Sequence, residues 1–194
     1  MNRRQFMTAA SAFSMQPIYL YTRASITQLC NSCAASIYTT QRPSYAYARS
    51  VAQLLAGTAA TESKLKHRRQ IGYGWDSDEG AWGLWQCELT ALEECLDFIG
   101  DRPEFAQRVA EWLWIRRGAR WLKFDMPFAL RLLYNWDRFA CLIARVYYVR
   151  YKPLIPKTIL GQAKYYKTFY NTSAGKGSVE KYIADYKELI ESAA

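Results

Sequence analysis

The chain has 194 residues, half of them hydrophobic and fewer than a quarter charged, which excludes a disordered chain and leaves length for one packed core, with or without an arm. A net charge of +9 favours an acidic partner, whether nucleic acid, an anionic membrane surface or the anionic cell-wall polymer, and no nucleic-acid motif accompanies it. No stretch reaches the ~18 apolar residues of a membrane-spanning helix, and five cysteines, an odd number, argue against a closed disulfide framework.

The N-terminus, "MNRRQFMTAASAF", places Arg3-Arg4 before Gln5-Phe6, as a twin-arginine export signal does. The segment after it is broken by Thr8, Ser11, Ser14, Gln16 and Pro17, where a signal needs a continuous apolar run. The expectation is therefore a basic arm or an accessory helix over 1–43, with a poor helical pattern from Ser25 to Tyr38, that anchors the protein in a larger assembly. Export to a bacterial periplasm is the alternative. Cys30 and Cys33 form a CxxC, but a zinc site needs a second pair or spaced histidines, and His67 is the only histidine. Plain thiols are expected there and at Cys87, Cys95 and Cys141, with no metal and no cofactor.

Pro43 and Ser44 read as a helix start, and the helical pattern runs from Tyr45 to about His67. "IGYGWDSDEGAWG" (71–83) holds four glycines and three acids and reads as a loop or small β element over 71–85. A helix follows from Thr90 to Ile99, closed by Gly100. Asp101 and Pro103 fit the N-cap and first turn of the next, through Trp114. Asn135 is read as the cap of an apolar helix over 136–151. Thr158 caps a helix to about Phe169, and Ser178 caps a last one to near Ile190. The fold class is mainly α.

Within the first long helix, "LLAGTAATESKLKHRR" places Glu62 on the same stripe as Leu55, Ala59 and Leu65. A carboxylate on an apolar stripe is costly to bury unless it is used. Such a carboxyl has its charged form disfavoured and holds a proton towards neutral pH, which suits a general acid. The plain alternative is an exposed pair with Lys66, one turn on.

Three motifs carry a resemblance. Glu62-Ser63 at a helix end, then "GLWQ" (83–86), then Tyr170-Asn171, resemble in order and spacing the lysozyme-like lytic transglycosylases. More narrowly, "LLAGTAATESKL", "GAWGLWQCE" and "YYKTFYNTSAGKGSVEKY" resemble a set of lysozyme-like proteins of tailed phages, over about residues 45–190. The resemblance implies a lysozyme-like α+β domain over 44–194, with Glu62 as the single acid/base for peptidoglycan glycan strands. It implies that Ser63 and Gln86 orient the substrate or the carboxyl, that Tyr170 hydrogen-bonds near Glu62, and that Asn171 steadies the loop placing that tyrosine. Trp85 stands where the family has Met, as a flat ring lining the cleft. The late motif displaces the family's glycine. Asp76, Asp78 and Glu79 are turn residues or, as an alternative, hold a water for hydrolysis. The expected setting is a virion, tail or internal, from which the protein reaches the host periplasm during genome entry. The other reading from the same resemblance is an inactive structural virion component, with the arm and aromatic helices contacting other virion proteins.

Overall fold

The computed structural model describes residues 22–38, 43–74, 77, 79–115, 125–151, 153–171 and 175–191. The described residues are mainly helical. In chain order the helices are α1 (Arg23–Ser36), α2 (Tyr45–Ser63), α3 (Leu89–Gly100), α4 (Pro103–Trp112), α5 (Met126–Asn135), α6 (Asp137–Val149), α7 (Ile159–Tyr166) and α8 (Val179–Tyr186). The last two each run on into one wider π turn, at Lys167–Asn171 and Lys187–Glu191.

Local chemistry sets several starts. Ser44, Thr158 and Ser178 cap α2, α7 and α8, each accepting from the backbone N–H three residues on. Asp125 does the same for α5 at 2.8 Å, with Pro127 in the first turn. Asn135 therefore ends α5 instead of capping α6, and Trp136 takes the cap position. Asp101 closes α3, and Arg102 precedes α4 without a side-chain cap.

Helix α2 stops at Ser63, short of the expected His67. Lys64 and Leu65 both turn left-handed, at φ 53° and 56°, and Lys64 N–H closes back on Ala60 O. From Val51 to Ala60 only Gln53 escapes burial, the mark of a helix packed on every side. It lies against α1, α6, α7 and α8. Helix α6 is the second buried rod, with Phe139, Leu142, Ile143 and Val146 fully enclosed.

The expected division at about residue 43 does not match the packing. Helix α1 buries Ile26, Cys30, Cys33 and Ala34 against α2 and α6. The buried Arg145 of α6 donates to Ile37 O at 3.1 Å, which fixes the end of α1. An arm has too little apolar surface to fold alone, whereas α1 carries an apolar face and completes the core. The arm expected over the first residues lies outside the described residues as far as position 21.

The expected β element is a loop. Isolated antiparallel bridges join Arg69 to Trp82 and Trp82 to Cys87, and no strand forms among the described residues. Glycines and acids there favour turns over extended ladders. The loop is tied to α6 by Arg68, which grips Asp137 with both guanidinium nitrogens and also donates to Tyr134 O.

Candidate functional site

Glu62 lies in the last turn of α2, half-buried between the buried Thr61 and Ser63. Tyr166 of α7 donates its hydroxyl to Glu62 Oε1 at 2.6 Å. The Asn171 side chain, at the end of the π turn, lies near the carboxyl and favours its ionised form. Lys167 Nζ donates to Asn171 Oδ1 at 2.9 Å and to Gly175 O at 2.8 Å, so the Asn171 amide nitrogen is the group left to face Glu62. Behind them Lys181 of α8 is held by Thr61 O and Asp185.

Burial pushes the Glu62 carboxyl above its ordinary value, and the charge of Glu88 adds to that. The Tyr166 hydroxyl, the Lys181 ammonium and Asn171 pull the other way, and burial prevails. Burial and the neighbouring carboxylate raise the Tyr166 phenol, so it stays a donor. No ion pair joins Glu62 to Lys66 among the described residues.

A cleft of about 590 Å³ opens in front of this carboxyl, bounded by the α2 end, the 67–88 segment, α6 and the 166–181 region. It is large enough for a few sugar rings and falls in the range of ligand sites. Three further expected residues line it: Gln86, Tyr170 and Asn171. Gln86 takes a left-handed backbone, φ 47°, and its amide donates to Gly83 O and His67 O, which shapes the turn at the cleft floor.

Two expectations fail on packing. Trp85 is fully buried and donates Nε1–H to Leu55 O at 2.8 Å, so it clamps the Gly-Leu-Trp-Gln turn onto α2 instead of lining the cleft. Ser63 is fully buried too, its hydroxyl returned to Ala59 O at 2.9 Å, the usual helix-interior bond of serine. A third is corrected by one turn of helix. Tyr170 donates to Trp85 O at 2.7 Å, and Tyr166 holds Glu62 in its place. The two rings lie one above the other, 6.2 Å apart, as i and i+4 residues do.

Glu88 was not anticipated. It occupies the cap position of α3, makes no capping bond with its side chain, and lines the cleft opposite Glu62's helix. Glu79 contributes its backbone carbonyl to Arg69 and is not part of the cleft lining, while Asp76 and Asp78 lie outside the described residues. Among the described residues no group of three or more metal-ligating side chains is placed to hold a metal ion. All five cysteines are buried and unpaired, and burial raises the Cys87 and Cys141 thiols well up, as it does Cys95, to about 12. These three thiols are thereby poor nucleophiles.

The loop after the π turn packs hard on the clamp. A Cβ on Gly177 would stand 2.5 Å from the Tyr166 hydroxyl and 2.9 Å from Asn171 Cγ. Gly177→Ala is therefore expected to displace the two groups beside Glu62, so any activity that depends on this carboxyl should fall by up to about 10²-fold, the scale of a ~1 Å misplacement. A Gly177→Ala protein as active as its parent would show that the clamp tolerates the shift.

No family model, curated protein or solved structure matches the chain.

Proposed function

We propose that the protein cleaves the glycan strands of peptidoglycan between MurNAc and GlcNAc, as a lytic transglycosylase with Glu62 as the single acid/base. The observation that carries this is the half-buried Glu62, raised in pKa and held by Tyr166 at a cleft with room for a few sugar rings. A protonated Glu62 gives its proton to the glycosidic oxygen as the C1–O bond breaks. The carboxylate so formed takes the proton of the muramic 6-hydroxyl, whose oxygen bonds to C1 and closes a 1,6-anhydro ring. Lys176 and Lys181 on the cleft wall suit an anionic wall polymer. The resemblance to tailed-phage proteins supports a virion setting for this reading, in which the protein opens the host wall during genome entry.

Mass spectrometry of muropeptides released from purified cell walls tests the reaction, because an anhydro product is lighter by one water than a reducing end. Anhydro ends are expected. Reducing ends in their place would move the chemistry to hydrolysis and point to Glu88 as the group that delivers water.

Tyr166→Phe separates the positioning of Glu62 from its chemistry. The hydroxyl favours the ionised carboxyl, so its loss leaves burial less opposed and moves the Glu62 pKa further up. An acid catalyst works below its pKa, so the alkaline limb of the kcat/KM profile should move to higher pH while the maximum falls roughly 10–100-fold, the worth of a hydrogen bond to a charged group. A limb that stays in place or moves down excludes Tyr166 from this role.

A further inference from the structure

Ile71 and Tyr73 lie on the loop that leaves the cleft, and both are open to solvent, 79% and 40% exposed. Ile71 is itself part of the cleft lining. Apolar surface exposed beside a cleft is a candidate contact surface for whatever the cleft takes.

The loop is built to present them. Gln70 pairs with Ala81 in both directions, its N–H donating to Ala81 O at 3.0 Å and its Oε1 accepting from Ala81 N–H at 2.9 Å. Tyr73 N–H closes a turn on Gln70 O. Arg69 donates to the carbonyls of Gly74, Ser77, Glu79 and Ala81, which gathers the loop around one guanidinium. That guanidinium stacks 4.0 Å from the buried Trp82 ring and 5.6 Å from the Tyr73 ring. Tyr73 also lies on the bare backbone of Gly80, φ +77°, where a Cβ would stand 2.7 Å from its Cγ. The ring is thus propped from behind by a glycine and a cation fixed on a core tryptophan.

We propose that Tyr73, with Ile71 beside it, is a stacking platform for a pyranose ring of the glycan strand, one subsite beyond the rings held over Glu62. The inference rests on the glycan-cleaving function proposed above. Continuity with the cleft selects the occupant: a strand that lies against Glu62 and leaves past Ile71 meets Tyr73 next. A sugar ring presents C–H groups on its face, and a fixed aromatic ring binds that face at little entropic cost.

The test uses the Glu62→Gln full-length chain, which holds strands without cutting them, titrated with peptide-free glycan strands of graded length. Tyr73→Ala in that background is expected to weaken binding of long strands about tenfold, with a loss that grows with strand length, and Tyr73→Phe is expected to recover most of it. Thermal unfolding of each variant checks that the loop change leaves the core intact. Equal affinity of Tyr73→Ala and its parent for long strands overturns the platform alone. So does a loss of the same size for disaccharide and polymer, because the ring would then shape the cleft instead of extending it. A parent that binds no glycan of any length overturns the glycan reading and the platform together.

Discussion

Glu62→Gln is expected to lower wall-clearing activity by about 10²–10⁴, the range of acid–base catalysis, while leaving the protein at least as stable as its parent at neutral pH. The amide keeps the shape and can still accept from Tyr166, but it has no proton to give. The stability half follows from the sign of the shift. A carboxyl raised in the folded state binds more protons folded than unfolded over the interval between the two values. Its contribution is fully present below the ordinary carboxyl pKa, near 4.5, and is lost as pH rises through the folded value. The gap in favour of Glu62→Gln should therefore widen with pH across that window and then level off. Zymography on purified walls, together with denaturant unfolding at several pH values, measures both halves. Full activity in the mutant would remove Glu62 from the chemistry. A stability gap that narrowed with rising pH would mean that the carboxyl is better solvated than its surroundings imply.

Asp137→Ala should cost about 3 kcal/mol or more, because removing one partner of a buried pair leaves the other charge poorly compensated. Both side chains are about nine-tenths buried, and the pair is gripped at two points, Arg68 Nη2 to Oδ2 at 2.7 Å and Nη1 to Oδ1. For a chain of this length that is a fall of roughly 6–12 °C in Tm. The double change Arg68→Met with Asp137→Leu should restore most of the loss, since apolar side chains of similar volume often replace a buried pair at little cost. If the single mutant unfolds at the parent's midpoint, water reaches the pair. Activity should fall with stability, because Arg68 O accepts from Gly83 N–H and so holds the start of the turn that floors the cleft.

The helices over 45–63, 159–166 and 179–186 are legible in sequence because caps and periodicity agree there, and that over 89–100 is legible from its apolar periodicity and Gly100. Helix α5 escaped notice although Asp125 and Pro127 announce it, since Asn135 offered a competing start for α6. The burial of α1 was not legible, because its small polar residues give it a faint stripe, and only tertiary contacts with α2 and α6 reveal its apolar side. At the site, the charge on the stripe of α2 was enough to single out Glu62. The motif points to Tyr170 as its tyrosine partner, one turn beyond Tyr166, which holds it. Residues four apart share a helix face, and only the position of α7 against α2 decides which of Tyr166 and Tyr170 reaches the carboxyl. Trp85 looked like a cleft wall because sequence registers an aromatic ring but not the carbonyl of Leu55 that its N–H meets. Glu88 was overlooked for a similar reason, since a helix-start carboxylate ordinarily caps, and this one does not.

The clamp on Glu62 is drawn from residues 104 positions away at Tyr166 and, through Lys181 and Thr61, 120 positions away. During synthesis the acid leaves the ribosome long before the groups that aim it. A nascent chain therefore carries a carboxyl with neither its donor nor its burial, and the active geometry assembles only when the final third docks. Contacts of such span are also the slow ones to form. Chains stopped before Tyr166 are therefore expected to carry Glu62 without the hydroxyl that holds it.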